Sequence, residues 1–181
     1  MNKEELREKY KQVRKNIKNK EKLSGLIAQK VIASSEYMNA KVICIYKNLK
    51  DEVDTSEIIN DALKRGKIVG IPITYKTHMD FYKISSIEEI KNINSFGAGE
   101  PEQNKQNLIN PQIIDLVIIP GICFDVSNNR LGFGKGYYDK YLNNKELSAL
   151  KIGICFKKQV MENELIDVDI YDVKMDKLVY N

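Results

Sequence analysis

A chain of 181 residues holds one domain with a substantial core, and 43% hydrophobic with 30% charged residues is the balance of an ordinary soluble globular protein. No apolar run approaches a membrane span. The net charge of +4 suits small anionic ligands without calling for nucleic acid.

The first segment, Lys3 to about Asn19, has helical periodicity, with Leu6, Tyr10, Val13 and Ile17 in one apolar stripe. At about 100° per residue, Lys3, Arg7 and Arg14 share a face along the border of that stripe, so the helix can dock while pointing positive charge along its edge. Lys9, Lys11, Lys15 and Lys18 read as a solvated face. The opening residues are charged at once and form no signal-peptide core, so the expected location is the cytoplasm. A second helix is predicted over Lys22 to Ser34, with Leu23, Leu26, Ile27 and Val31 turned inward. Lys41-Val-Ile-Cys-Ile-Tyr46 is β-branched and reads as the first buried strand. A helix over Ser56 to Arg65 follows, capped by Asp54 or Thr55 and stopped by Gly66. Lys67-Ile-Val-Gly-Ile71 is the next strand, ending at Pro72. Strand, helix and strand in that order imply a right-handed crossover in a parallel sheet, whose ligands collect beyond the carboxyl ends of the strands. Met79 to Ile84 is a strand in a hairpin with residues around Ile73, and His78, the single histidine, reads as a turn residue. Ser86 to Ile90 starts a short helix, and Ile93 to Gln112 is polar and winds over the surface. Cys44, Cys123 and Cys155 are odd in number, far apart and in apolar surroundings, so buried reduced thiols are expected instead of disulfides or a zinc site.

Asp115-Leu-Val-Ile-Ile-Pro120 is another buried strand, and Tyr137 to Leu150, free of Gly and Pro, reads as a helix. The loop between them carries Gly132, Gly134 and Gly136 at alternate positions, with Arg130 before them and Lys135 among them. Such glycines allow positive φ and let backbone N–H groups converge on an anion, to which the following helix adds its dipole. Arg130 and Lys135 supply full charges, and Asp139 can hold a divalent cation against the same phosphates. This is no Walker A loop, because Gly136 stands where Ser or Thr is needed, and the third glycine comes one residue early for a dinucleotide fingerprint. The ordinary alternative is a surface Ω-loop. The combination of strand end, arginine, three glycines, lysine and Tyr-Tyr-Asp favours a nucleotide site. Lys151-Ile-Gly-Ile-Cys-Phe156 is then a strand, the five acidic residues between Glu162 and Asp172 read as a solvated edge, and Leu178 to Tyr180 is the last strand.

Arg130-Leu-Gly-Phe-Gly-Lys-Gly-Tyr-Tyr-Asp139, preceded by Pro120-Gly and Phe124-Asp125, resembles the signature of the 5-formyltetrahydrofolate cyclo-ligase (methenyltetrahydrofolate synthetase) family. The likeness continues in order along nearly the whole chain: Lys3-x-x-Leu6-Arg7, Glu52-Val-Asp-Thr55, Phe96-Gly97 with Glu100-Pro101, and Asp172-Val-x-x-Asp176. It implies an enzyme that uses ATP and Mg2+ to close 5-formyltetrahydrofolate to 5,10-methenyltetrahydrofolate. ADP and phosphate would be released by way of a phosphorylated formyl (iminophosphate) intermediate. The resemblance implies ATP contacts from Lys3, Glu4, Glu5, Leu6 and Arg7, and from Arg130, Leu131, Gly132, Phe133, Gly134, Lys135, Gly136, Tyr137 and Tyr138. Lys47 and Glu52 match substrate positions, joined by Phe133, Gly134, Lys135, Gly136 and Tyr137. Arg130, Lys135 and Tyr137 take the catalytic roles. Asp139 and Asp172 match magnesium positions, although Tyr171 replaces a His often found before the second. Read alone, Glu52 before a helix is a routine dipole partner; as a ligand, its carboxylate accepts paired hydrogen bonds from the amino and ring N–H groups of a pterin.

The expectation is one α/β domain over residues 1–181, in three layers, with a largely parallel sheet, helices on both faces and a small antiparallel extension. It would act as a monomer on a folate and ATP, with no nucleic acid and no membrane. On the residues alone, two other classes stay open. One is an ATP-binding regulatory module without turnover; the other is an RNA-binding protein led by the basic first helix, though aromatic stacking signatures are missing.

Overall fold

The computed structural model describes residues 1–181. Along the chain run α1 (Lys3–Lys15), α2 (Lys20–Ile32), α3 (Ser35–Asn39), β1 (Val42–Ile45), α4 (Ser56–Lys64), β2 (Ile68–Thr74) and β3 (Met79–Ile84). There follow β4 (Asn92–Ile93), β5 (Gly99–Glu100), β6 (Leu116–Ile119), β7 (Cys123–Asp125), β8 (Arg130–Leu131), α5 (Tyr137–Leu142), β9 (Leu150–Ile154), β10 (Val160–Met161) and β11 (Lys177–Val179). The main sheet has the order β11-β9-β6-β1-β2-β3, parallel except that β3 runs antiparallel to β2.

The β-branched runs become buried strands because they have apolar partners on both faces. Ile43, Ile45, Leu116 and Ile118 face one way, into a core with Ile27 and Val31 of α2 and Ile58 and Ile59 of α4. Val42, Cys44, Val117 and Ile119 face the other, toward Phe81, Ile109 and the Tyr141–Leu142 end of α5. The second face is thus covered by one short helix and irregular chain. α1 docks elsewhere: Leu6 packs with Cys123, Leu131, Met161 and Ile166 on a small sheet of order β10-β7-β8. A two-stranded ribbon, β4 with β5, stands beside the main sheet.

Several expectations change. The helix predicted from Tyr137 to Leu150 ends at Leu142, because Asn143 and Asn144 divert their side chains to Tyr171 O and Glu146 N–H. β2 runs through Pro72 to Thr74; its pairing with β1 has already ended at Gly70, so the missing N–H falls where β2 has one neighbour. Leu26 is 42% exposed because its neighbour Ile27 takes the inward direction, with Ala28 and Ser24 completing the face. α1 stops at Lys15, and Asn19 turns left-handed before α2. The segment before the glycines contains a hairpin, β7–β8, whose turn at Asn128 has φ 66° and is tied to the Asp125 carboxylate. No helix is long and apolar enough to cross a membrane.

Candidate active site

The carboxyl ends of β1, β2 and β6 open into a cleft of about 870 Å³, with Tyr46, Lys47, Thr74 and Pro120 at its base. Its wall on one side is the β4–β5 ribbon, through Phe96, Ala98 and Gly99. The opposite wall is the glycine loop, and α1 and the Asp169–Asp172 segment close the end. This is the crevice a parallel sheet creates, and the volume is near the upper end of small-molecule sites, roughly 300–1,000 Å³.

Each loop glycine has its own reason. A Cβ on Gly132 would lie 2.6 Å from Arg130 Nη1, and Gly134 has φ +90° with the Arg7 guanidinium close by. Gly136 has φ +70° and starts α5. Arg7 Nε donates to Gly132 O at 3.0 Å, so α1 braces a loop 125 residues away in sequence. The Arg130 side chain is 4% exposed and fixed, donating to Pro120 O at 3.3 Å and to Asp139 Oδ2 at 2.9 Å. Arg130 therefore shapes the loop, while exposed Lys135 makes no hydrogen bond or ion pair and can reach a ligand. α5 has six residues, so its dipole adds less than a long helix would.

At the other end, Glu52 is buried and accepts the Leu49 N–H at 2.8 Å, with Arg14 Nη1 at 3.5 Å. Burial raises its pKa, and the Leu49 N–H and Arg14 oppose that rise. The Tyr138 hydroxyl is inaccessible and lacks a partner, while its ring lies under Arg130. Lys47 Nζ donates to Asn48 Oδ1 and Ser56 Oγ at 2.7 and 2.8 Å, and its stem packs where a Cβ on Gly99 would intrude. Tyr137 meets Phe96 edge-on at 6.1 Å across the cleft.

Asp139 and Asp172 come together because the Val173 N–H reaches Asp139 Oδ1 at 3.3 Å. Asp172 Oδ2 takes Lys3 Nζ at 2.6 Å and the Asp169 N–H, leaving Oδ1 without a protein partner. Burial alone would lower the Lys3 pKa, but hydrogen bonds to Asp172 and Asp169 outweigh it and raise the value. No three or more His, Cys, Asp or Glu side chains gather in a group that could hold a metal ion by themselves. Two carboxylates facing one cleft nonetheless fit Mg2+, a hard cation commonly held by one or two carboxylates plus phosphate and water.

A model of the 5-formyltetrahydrofolate cyclo-ligase family matches residues 1–181. The chain belongs to that family. It is 39% identical over 171 residues to the 5-formyltetrahydrofolate cyclo-ligase of Mus musculus, covering 87% of this chain and 81% of the mouse protein. A probable cyclo-ligase of Schizosaccharomyces pombe is 36% identical over 165 residues, 84% of this chain and 81% of that one. Among solved structures, the 5,10-methenyltetrahydrofolate synthetase of Aquifex aeolicus superposes with TM-score 0.83 at 32% identity, over 99% of this chain and 90% of that chain. The synthetase of Mycoplasma pneumoniae gives 0.78 at 28% identity, over 99% and 98%. The cyclo-ligase family thus accounts for the single α/β unit and its mostly parallel sheet.

Within this cyclo-ligase frame, the cleft gathers Lys3, Arg7, Lys47, Glu52 and every residue from Arg130 to Asp139, with Asp172. Three expected positions lie outside the lining. Glu4 pairs with Arg7, Glu5 closes a capping box with Asn2, and Leu6 is buried in the small core. Arg14, singled out by its helical face alone, proves to be the buried partner of Glu52. Met79 and Asn94, which no motif marked, also line the cleft. His78 sits in the expected turn, stacked on Tyr75 at 4.7 Å and away from the cleft. All three cysteines are free and buried, with thiol pKa values pushed up by burial, so none offers a thiolate.

Proposed function

We propose that this chain closes 5-formyltetrahydrofolate to 5,10-methenyltetrahydrofolate at the expense of ATP, with Mg2+ beside the phosphates. The observation that carries the proposal is one cleft joining a buried carboxylate, Glu52, to a glycine loop bearing an unpartnered lysine, Lys135. A reduced pterin offers adjacent amino and ring N–H donors, which suit Glu52 as a two-oxygen acceptor. The triphosphate suits the other end, where Lys3, Arg7 and Lys135 converge.

The formyl oxygen of an amide-like N5-formyl group cannot leave as oxide. Its attack on the γ-phosphorus forms an O–P bond as ADP departs, and the oxygen becomes a phosphate ester. N10 then attacks the activated carbon and loses its proton. The C–O bond breaks with phosphate taking the electron pair, leaving the five-membered ring closed and cationic. The cleft residues orient and neutralise charge; no step needs a protein nucleophile. Lys135 and Arg7 would stabilise the transferring group. Arg130 would keep Asp139 in place, and Tyr137 with Phe96 would cover the reacting carbon against water. Asp139 and Asp172 would hold Mg2+, which when bound neutralises phosphate charge.

The test is to mix purified protein with Mg-ATP and 5-formyltetrahydrofolate, following methenyl absorbance and ADP together. The expected result is equal amounts of both products, dependent on each component. ATP binding without folate turnover would leave only a regulatory module, and turnover without ATP would overturn the phosphorylation route.

A further inference from the structure

Glu52 is expected to meet the ligand as a carboxylate, yet it is 7% exposed, and an isolated carboxylate in such a place favours its neutral form. The cation beside it is Arg14, itself 7% exposed at the side chain, with Nη1 3.5 Å from Glu52 Oε1. Arg14 also lies 5.2 Å from the centre of the Phe133 ring, at the tip of the glycine loop. Its Nε finds no acceptor, so the guanidinium is not held there by a full set of polar partners. Arg14 does not line the cleft; it stands behind both features that do.

We infer that Arg14 is a positioning residue for the ligand end of the cleft, holding Glu52 and the loop tip at Phe133 in one arrangement. This rests on the function proposed above and concerns a residue the family signature does not mark. The other groups facing Glu52 offer no substitute. Tyr46, just past β1, donates its hydroxyl to Val53 O, and Tyr138 on α5 is neutral, its pKa raised by burial. Asp51 carries like charge and is paired with Lys20 of α2. The Leu49 N–H supplies one hydrogen bond. Without Arg14, Glu52 keeps that single donor and takes up a proton more readily as pH falls.

The experiment measures KM for 5-formyltetrahydrofolate and for ATP from about pH 6 to about pH 8.5 in wild type, Arg14→Leu and Arg14→Lys. In Arg14→Leu, the fall in folate affinity on acidification should begin at least about one pH unit higher than in wild type. The folate KM near pH 6 should rise about tenfold or more, while the ATP KM changes by less than about threefold. Arg14→Lys keeps the charge and should restore the wild-type pH profile, though a lysine lacks the flat face that stacks on Phe133. A cycle with Phe133→Leu tests that second contact and stands even if Arg14→Leu fails to fold: losses of kcat/KM in Arg14→Lys and Phe133→Leu should not add. A wild-type pH profile in folded Arg14→Leu, or fully additive losses in the cycle, would overturn the inference. A wild type that converts no 5-formyltetrahydrofolate would remove the proposed function first, and this with it.

Discussion

Lys135 and Tyr138 lie three residues apart and are placed for opposite reasons. Lys135 is exposed and unpartnered, so Lys135→Ala should leave the unfolding midpoint unchanged while removing the proposed phosphate contact. A loss of about 2–4 kcal/mol at the transition state corresponds to about 30- to 1,000-fold in kcat/KM. Steady-state kinetics beside a thermal melt decides it, and unchanged kinetics would take Lys135 out of the reaction. The Tyr138 hydroxyl is buried with no partner, a cost of about 1–3 kcal/mol that Tyr138→Phe removes. The variant should therefore melt no lower than wild type, yet bind 5-formyltetrahydrofolate several-fold more weakly if the ligand satisfies that hydroxyl. A lower midpoint with unchanged affinity would show a structural role instead. Lys135 was legible because a motif surrounds it. The Arg14–Glu52 pair was not, because its members are 38 residues apart in sequence and nothing local links them.

Elements were legible where periodicity was uninterrupted and obscure where side chains compete with the backbone. The burial of β1 and β6 on both faces follows from their composition. The early end of α5 depends on Asn143 finding Tyr171 O, a partner 28 residues later. The β7–β8 hairpin is too short to show a period and is fixed by buried Asp125, which accepts N–H groups from Ser127, Asn129 and Ile166. The glycine loop separates space from conformation. Gly136→Ala meets nothing within 4 Å but must hold φ +70°, a strain of about 1–2 kcal/mol. Its midpoint should fall by several degrees. Gly132→Ala drives a methyl into Arg130, which cannot yield without releasing Asp139. Here the larger effect should appear in kcat/KM, accompanied by a raised magnesium requirement; a normal requirement would mean that Arg130 does not position Asp139.

The whole molecule brings together carboxylates from α5 and from the segment before β11, with Lys3 of α1 between cleft and solvent. If Asp139 and Asp172 serve one ion, Asp139→Asn and Asp172→Asn should each raise the Mg2+ concentration for half-maximal turnover. The double variant should be little worse than the more damaged single, because ligands of one ion do not act independently. Lys3→Met removes the cation and spares the carboxylate, so it should weaken ATP affinity without raising the magnesium requirement. Magnesium titrations of all five proteins at fixed ATP separate these outcomes, and additive losses would mean two unrelated roles.

The Lys3–Asp172 contact spans 169 positions and has a consequence for synthesis. A ribosome exposes α1 long before Met161, Ile166 and Asp172 exist. During that interval Leu6 lacks the apolar partners it will later find on the small sheet, and the nascent helix is an apolar surface for chaperones to hold. The end of the cleft that Lys3 shares with Asp172 cannot close until residue 172 has been made. Unfinished chains therefore lack that end of the cleft, and it arrives all at once when the last of its walls is made.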